Sequence, residues 1–272
     1  MNSSDDHLKL LFIADIVGRP GRHVVKSLLP ALRYELDADL VVANGENLAG
    51  GFGVTPSLVE SLFDWGVDVI TSGNHIWDRS DGVELLDVEQ RLLRPANYPS
   101  GNPGQGTCVV DVGRGKVGVL NLQGRVFMPP IDDPFRVARS RVDELRDETN
   151  VICIDFHAEA TAEKLAFAHY MDGLVSAVLG THTHVPTADA RILPGGTAYV
   201  TDLGMTGSHA GVIGFRAEAA MQRQLMGRRI RLDLAEGDLR LQGAVVEVSP
   251  SSGRARRIER IDMGYEQESC GG

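Results

Sequence analysis

The stretch LKLLFIA, from Leu8 to Ala14, is an apolar run that ends at Asp15. A run of this kind is typical of a strand that is buried on both faces of a parallel sheet. The turn sequence GRPG, from Gly18 to Gly21, follows it and leads into a segment whose apolar side chains share one helical stripe. That stripe consists of Val24, Val25, Leu28, Leu29 and Leu32. The chain is therefore predicted to begin with a strand, a turn and a helix.

The same alternation continues through the next two strands. Leu40 to Ala43 form a second apolar run, and Val67 to Thr71 form a third. Between them, Thr55 is placed to cap a helix that has Pro56 at its first position. This order predicts a βαβαβ unit in which polar residues follow each strand at its carboxyl end. Open α/β sheets bind their ligands at that edge.

The rest of the chain adds further strands and helices. A hairpin is predicted from the apolar runs Thr107 to Val112 and Lys116 to Leu120. Further predicted elements are a helix from Asp133 to Glu148, a strand from Val151 to Asp155, a helix from Thr161 to Met171 and a strand from Ser176 to Leu179. Turn-separated strands are expected to close the chain, up to a frayed tail from about Met263. No repeat or linker divides the sequence, so we expect one domain over residues 1 to 272.

The composition excludes several classes of protein. The 272 residues carry 27 Lys and Arg against 37 Asp and Glu, a formal net charge of -10, which argues against a surface that binds duplex nucleic acid. Three widely spaced cysteines, Cys108, Cys153 and Cys270, form neither a disulfide framework nor a zinc-thiolate site. No apolar run approaches the roughly 18 residues needed to span a membrane, and no signal peptide is recognisable. We expect a cytoplasmic protein with no membrane partner.

Polar side chains that can bind metals follow five of the predicted strands. They are Asp15, then Glu46 and Asn47, then Asn74 and His75, then His157, and finally His182 and His184. Carboxylate, amide and imidazole groups together bind iron, manganese or zinc, and one carboxylate can bridge two ions about 3.5 to 4 Å apart. Each residue alone also has an ordinary structural interpretation, as a cap, a turn residue or a core histidine. Their shared position at strand ends favours a metal centre.

The order of these elements along the chain is specific. It runs Asp15, Gly45-Glu46-Asn47, Gly73-Asn74-His75, His157 and Gly180-Thr181-His182-Thr183-His184. In this order the chain resembles the calcineurin-like metallophosphoesterases. Within that superfamily the chain resembles the bacterial YmdB-type phosphodiesterases over Ile13 to Pro20, Ala43 to Val54, Thr71 to Asp78, Gly124 to Phe135 and Gly180 to Gly207. The resemblance implies a four-layer αββα sandwich with mixed sheets.

Two departures from the general superfamily pattern affect the metal ligands. Asp15-Ile16-Val17 stands where the superfamily usually has Asp-x-His, and Glu46 stands in place of the usual bridging aspartate. By resemblance to the YmdB-type family, the amide oxygen of Asn47 replaces the missing imidazole. The resemblance thus implies two sites that share one carboxylate: Asp15, Glu46, Asn47 and His184 at the first, and Glu46, Asn74, His157 and His182 at the second.

The resemblance also implies a reaction. Two ions, iron or manganese by the chemistry of the ligands, would activate a bridging hydroxide for attack on phosphorus. His75 would protonate the leaving alkoxide as a general acid. Small phosphodiesters, above all 2′,3′-cyclic nucleotides, are the implied substrates. A phosphomonoesterase or nucleotidase is the nearest alternative, and a metal-binding regulatory scaffold is another.

Several features keep more than one interpretation. His209 can contact substrate or lie in an ordinary loop, and Arg125, Phe127 and Phe135 can form a lid over the site or simply connect two elements. The glycine-rich stretch from Gly50 to Gly53 can receive an anion before the following helix or serve as a tight connection. A homo-oligomer, as a dimer or tetramer, is a further expectation.

Overall fold

Two sheets pack face to face in this protein, and helices cover the outer side of each sheet. A computed structural model describes residues 7 to 266. The strands are β1 (Leu8–Ile13), β2 (Asp15–Ile16), β3 (Leu40–Asn44), β4 (Val69–Thr71), β5 (Thr107–Asp111), β6 (Lys116–Gln123), β7 (Val151–His157), β8 (Ala177–Thr181), β9 (Arg191–Ile192), β10 (Ala198–Val200), β11 (Met205–Ser208), β12 (Leu239–Val248) and β13 (Ala255–Tyr265). The helices are α1 (Gly18–Leu36), α2 (Pro56–Asp64), α3 (Ser80–Leu85), α4 (Pro134–Arg146), α5 (Thr161–Met171) and α6 (Ala217–Met226), with a 3-10 turn at Asn74–Trp77.

Both sheets are mixed. The first has the order β2-β11-β12-β1-β3-β4, with β13 paired to β12. In it β1, β3 and β4 are parallel, whereas β12 is antiparallel to β1. The second has the order β5-β6-β7-β8-β10-β9, in which β6, β7, β8 and β10 are parallel. The predicted βαβαβ unit therefore supplies three neighbouring strands of the first, seven-stranded sheet.

Alternation along the strands produces the four layers. In β1, Leu10 and Phe12 join a core that also contains Val119 and Cys153 of the second sheet. Their neighbours Leu11 and Ile13 pack in a separate core with residues of α1 and α2. Outward-facing residues of β6 and β7 pack in the same way against α4 and α5. Because successive side chains point to opposite faces, each strand serves two cores. The αββα sandwich is confirmed.

The strand register brings the carboxyl ends of both sheets together. Asn44 at the end of β3 lies beside Thr71 at the end of β4, and His157 at the end of β7 lies beside Thr181 at the end of β8. The two edges meet across the sandwich, where Asn44 Nδ2 donates to Asp155 Oδ2 at 3.0 Å. Ligand candidates that follow these strands consequently converge from two sheets.

The carboxyl-terminal part differs most from the sequence prediction. The helix α6, which has no buried residue, lies between β11 and β12, where strands alone were expected. The tail predicted from Met263 was wrong for its first residues, because Met263 and Tyr265 continue β13 in register with Leu241 and Leu239. Both side chains pack against the core beneath the first sheet, which holds the strand in place. The remainder of that tail, from residue 267, lies outside the described residues.

Two further predictions concern the chain as a whole. Among residues 7 to 266, no helix is both long enough and apolar enough to cross a bilayer. Assignment of residues 1 to 272 to one domain stays a prediction. In the described part of the chain, the core between the sheets draws residues from as early as Leu8 and as late as Ala255.

Candidate metal centre

Four predicted ligands meet at the carboxyl ends of the two sheets. His157 Nε2 lies 3.0 Å from Glu46 Oε1, 3.3 Å from Asn74 Oδ1 and 3.0 Å from His182 Nδ1. Ligand atoms of Glu46, His157 and His182 all lie within 4.8 Å of one another, close enough to share one ion. The convergence of two imidazole nitrogens, a carboxylate and an amide oxygen matches the second site that the resemblance implies.

Asp15 and His184 lie next to this cluster. Asp15 Oδ1 is 3.8 Å from His184 Nε2 and 3.9 Å from His157 Nδ1, and the backbone N–H of His182 donates to Asp15 Oδ2 at 3.3 Å. The other His184 nitrogen, Nδ1, lies 3.1 Å from the carbonyl oxygen of Ile213. The imidazole therefore presents Nε2 toward the carboxylate of Asp15.

Two buried oxygen atoms lack hydrogen-bond partners and test whether the site fits a metal. Asp15 Oδ1 accepts no hydrogen bond, and neither does Asn47 Oδ1. The Asn47 amide has a defined orientation, since its Nδ2 donates to the carbonyl oxygen of Gly51 at 2.9 Å. Unpaired buried oxygens are energetically unfavourable unless water or a cation satisfies them. Residues of the first implied site thus fit a bound cation.

The charges of the cluster depend on burial and on His157. Burial opposes a charge on Glu46 and on His157, but their attraction and hydrogen bond prevail, so the pKa of Glu46 falls to about 2 and that of His157 rises to about 9. Burial, and then the charge of His157, lower the pKa of His182 to about 3. Burial raises the pKa of Asp15 well above its ordinary value. A cation here would replace the His157 proton and favour the charged form of Asp15.

A buried network orients His157. Its Nδ1 lies 2.9 Å from Thr181 Oγ1, which donates to Asp155 Oδ1 at 2.6 Å. The other Asp155 oxygen accepts from Thr71 Oγ1 at 2.5 Å and from Asn44 Nδ2 at 3.0 Å. Three donors on three strands therefore converge on one carboxylate. This network fixes the ring so that Nε2 faces Glu46, an arrangement that supports metal-binding histidines.

Asp155→Asn is expected to weaken metal binding about 10- to 100-fold, the usual effect of removing a partner that orients a ligand. The new amide NH2 would face Asn44 Nδ2 or a threonine hydroxyl, where a carboxylate oxygen accepts now. Calorimetric titration of the metal-stripped protein with Mn²⁺ measures the effect. Asp64→Asn, at the exposed end of α2, is the matched control. Equal Mn²⁺ affinity in both variants would contradict the orienting role of Asp155.

The loop after β8 holds its two histidines in a left-handed backbone. His182 has φ 99° and His184 has φ 63°, which non-glycine residues seldom adopt. Asp202, fully buried, accepts from the N–H of Thr183 at 3.1 Å and forms a 2.7 Å ion pair with Lys164. Lys164 Nζ also donates to the carbonyl oxygen of Thr181 at 2.7 Å. This buried ion pair therefore holds the loop from both sides.

Lys164→Met is expected to lower the free energy of unfolding by about 3 to 5 kcal/mol, because it leaves Asp202 buried without its cation. Urea denaturation of the variant and the parent protein measures the difference. Lys26→Met, on an exposed position of α1, serves as the control and should change stability little. A Lys164 variant as stable as the Lys26 variant would show that this pair does not support the loop.

His75 lies at the half-exposed rim of the cluster. Its backbone N–H donates to Glu46 Oε2 at 2.9 Å, and its Nδ1 lies 2.8 Å from Asp78 Oδ2. The ring of Phe52 meets the imidazole edge-to-face at 4.9 Å and stacks on Phe215 at 5.5 Å. The contact with Asp78 occupies one ring nitrogen and leaves Nε2 as the nitrogen that can face a substrate.

Distances of 3.9 Å or less thus link seven of the eight predicted residues, all but Asn47, whose role as a ligand stays a prediction. The structure also adds groups that sequence reasoning missed. Asp155, Asp78 and Lys164 belong to this second set, as does Glu159, whose Oε2 lies 3.0 Å from His182 Nε2. A partial signal existed for Asp155, a lone acid at the end of the apolar run VICI. For Lys164 no signal existed, because a lysine within a helix ordinarily points to solvent.

Other nominated residues have contacts of their own. Phe135 packs against Phe167 and Tyr170 at centroid distances of 5.3 and 5.5 Å, so it belongs to the helical layer and not to a lid. Arg125 forms a 3.1 Å ion pair with Asp133. His209 lies just after β11, with Nε2 3.3 Å from the carbonyl oxygen of Met205. A substrate contact by His209 stays a prediction.

Comparison with known proteins identifies the family. A model of the YmdB-like proteins matches residues 11 to 261, nearly the whole chain. The chain belongs to the YmdB-like family. A 2′,3′-cyclic-nucleotide 2′-phosphodiesterase from Bacillus subtilis (strain 168) is 46% identical over 254 residues, which cover 93% of this chain and 96% of that protein.

Two solved structures of relatives share the fold. A hypothetical protein from Thermus thermophilus is 41% identical with a TM-score of 0.88, over 95% of this chain and 100% of that one. A protein from Mycoplasma pneumoniae, described as a novel phosphatase, is 34% identical with a TM-score of 0.89, over 95% of this chain and 94% of that one. The YmdB-like resemblance drawn from the motifs is confirmed.

Proposed function

We propose that this YmdB-like protein is a metal-dependent phosphodiesterase that opens 2′,3′-cyclic nucleotides at the 2′ ester bond. The observation that carries the proposal is the convergence of Glu46, Asn74, His157 and His182. The activity named for the Bacillus subtilis relative supports the choice of substrate. It also supports a hydrolase over a binding protein.

Two cations would be held by these residues, and Glu46 would be a ligand to both. Asp15, Asn47 and His184 would complete one coordination sphere, and Asn74, His157 and His182 the other. The two unpartnered oxygens, Asp15 Oδ1 and Asn47 Oδ1, support the first. An oxygen ligand in place of an imidazole at the first site favours iron or manganese over copper or nickel. When bound, the ions supply positive charge for the phosphate oxygens and lower the pKa of a coordinated water.

The chain's own residues handle the leaving group. Water adds its hydroxyl group to phosphorus and releases one proton, the P–O2′ bond breaks, and O2′ takes up one proton. His75 is the group placed to donate that proton, from Nε2, while Asp78 Oδ2 holds its Nδ1 at 2.8 Å. The backbone N–H of His75 donates to Glu46 Oε2, which ties the backbone of His75 to the ligand cluster. Proton donor and phosphate site are thereby held in one arrangement.

The acidic composition is compatible with an anionic substrate. The formal net charge is -10, yet two dications against the carboxylates of Asp15 and Glu46 would leave the centre locally positive. Phosphate would therefore be recognised by cations, without a surface of lysine and arginine. Cytoplasmic location and a homo-oligomeric state are further parts of this proposal.

A phosphomonoesterase is the second candidate, favoured by the description of the Mycoplasma pneumoniae protein as a phosphatase. Protein stripped of metal and reloaded with Mn²⁺ or Fe²⁺ would be assayed on 2′,3′-cyclic AMP and p-nitrophenyl phosphate. We expect faster turnover of the cyclic diester and a nucleoside 3′-phosphate product. Faster turnover of the monoester would select the rival, and no turnover of either by the reloaded protein would favour a regulatory scaffold.

A further inference from the structure

The loop between β6 and α4 is fastened at its base by a buried asparagine. Asn97 is fully buried, and its Nδ2 donates to the carbonyl oxygens of Gln123 at 2.7 Å and Asp132 at 3.0 Å. Its Oδ1 accepts from the N–H of Gln123 at 2.9 Å, and its carbonyl oxygen accepts from the N–H of Asp132 at 3.1 Å. One side chain and its backbone therefore close both ends of the loop.

A buried glutamate fastens the first half of the same loop. Glu163, at the start of α5, accepts from the N–H of Arg125 at 2.9 Å and from the N–H of Val126 at 3.2 Å. A carboxylate taken out of water is stabilised by charge-assisted hydrogen bonds of this kind. Arg125 adds the ion pair with Asp133 at the other end of the loop. The segment is thus held by charged and polar groups and not by an apolar core.

These contacts present one aromatic side chain to solvent. Phe127 follows directly on the two clamped N–H groups and is 88% exposed. Its φ is 63°, in the left-handed region that an aromatic residue rarely adopts. Exposing a phenyl ring and bending its backbone are both unfavourable, and outliers of this kind concentrate at binding sites. The loop therefore holds the Phe127 ring in an exposed position, where it packs against no other ring among the described residues.

The exposed ring lies a short distance along the chain from the metal ligands. Gly124 N–H donates to the carbonyl oxygen of His157 at 2.9 Å, and Phe127 is three residues further on. Three residues of extended chain span at most about 10 Å. The Cα atom of Phe127 therefore lies within about 10 Å of the Cα atom of Gly124, the residue that is bonded to the His157 backbone, and a nucleotide has a similar length.

We propose that Phe127 is the stacking surface for the nucleobase of the substrate. The proposal rests on the proposed function, since it assigns a base site to the same phosphodiesterase. Base stacking on an aromatic ring tolerates every base, because each has a π face, and is strongest for the larger purines. Phe127 would therefore bind the nucleoside end of a cyclic nucleotide while the metal centre holds the phosphate.

The test compares two cyclic diesters that differ only in the base. One is 2′,3′-cyclic AMP, and the other is the cyclic phosphate of 1,4-anhydroerythritol, which keeps the five-membered diester without a base. Phe127→Ala is expected to raise KM about tenfold for the nucleotide, as loss of one stacking contact does, with kcat nearly unchanged. The base-free diester should be hydrolysed as before. Phe127→Tyr should restore the nucleotide KM.

Tyr34→Ala is the matched control, because Tyr34 on α1 is also 88% exposed. Equal effects of Phe127→Ala on the two diesters, or none on either, would overturn the stacking site while leaving the phosphodiesterase intact. The stacking site would also be overturned if Phe127→Ala changed only the oligomeric state, measured as molar mass by light scattering. The ring would then contact a second copy of the chain.

Calorimetric binding of adenosine 3′-phosphate separates the two proposals. In one outcome the parent protein hydrolyses neither diester and still binds this nucleotide tenfold more tightly than Phe127→Ala does, a difference of about one base contact. That result would support the stacking site and overturn the phosphodiesterase. A parent protein that neither hydrolyses nor binds nucleotide would overturn both.

Discussion

His75→Ala is expected to lower kcat on 2′,3′-cyclic AMP by about 10² to 10⁴, the usual contribution of a positioned general acid. The O2′ alkoxide is a poor leaving group, so it needs a proton as the bond to phosphorus breaks. Asp78 and Glu46 hold His75 at the rim of the cluster, and no step of metal binding requires its imidazole. The measurement is kcat of the Mn²⁺-loaded variant with its metal content determined in the same sample.

The leaving group distinguishes acid catalysis from a general loss of structure. Bis(p-nitrophenyl) phosphate releases a stable phenolate, so its hydrolysis needs little help from a proton donor. The His75 variant should therefore lose far less activity on this diester than on the cyclic nucleotide. His169→Ala, at an exposed position of α5, is the control. Equal losses on the two substrates at full metal content would rule out His75 as the general acid.

Glu46→Gln is expected to have the largest effect on the centre. It should lower the metal content and reduce hydrolysis of every diester by about 10³ or more, because metal stabilisation of phosphoryl charge is worth several kcal/mol. Glu46 Oε1 contacts His157 and Oε2 accepts from the N–H of His75, so a neutral amide changes both contacts. Elemental analysis after reloading, together with hydrolysis of both diesters, provides the measurement.

The control keeps the same chemical exchange away from the site. Glu60→Gln lies on the exposed side of α2 and should leave metal content and activity as in the parent protein. The expected metal content of that control is about two ions per chain, as a shared carboxylate requires. Full metal content and activity in the Glu46 variant would refute the role of Glu46 as the shared ligand.

Much of the fold was predictable because each strand of the parallel unit is a short apolar run bounded by turn residues. β1 and α5 agree with the predicted segments to within one residue. The segment between β11 and β12 that contains α6 was not predictable, because this helix buries no side chain and its sequence has no apolar stripe. The end of β13 was missed for another reason: its apolar residues Met263 and Tyr265 are meaningful only beside β12.

The candidate site divides in a similar way. Residues such as Asn74 and His182 could be nominated because they follow strands in short motifs, and their resemblance to a family supplied an order. The residues that orient these ligands could not be predicted from the sequence. Asp155 acts through donors on three strands, and Lys164 reaches Asp202 from a helix that is 38 residues away in the chain. Contacts of this kind have no local pattern.

The sequence by itself determined the order of strands and helices in the parallel unit and the set of candidate ligands. Period-two and period-3.6 patterns decide which residues face a core, and the residue types after each strand decide which ions they can bind. Tertiary structure alone decided that ligands from two separate sheets meet around His157 and that two buried oxygens remain without hydrogen-bond partners. It also decided that Phe127 is exposed next to backbone N–H groups that donate to the buried Glu163. The physical reason is that strand order and sheet packing join residues far apart in sequence, and local periodicity carries no information about those distances.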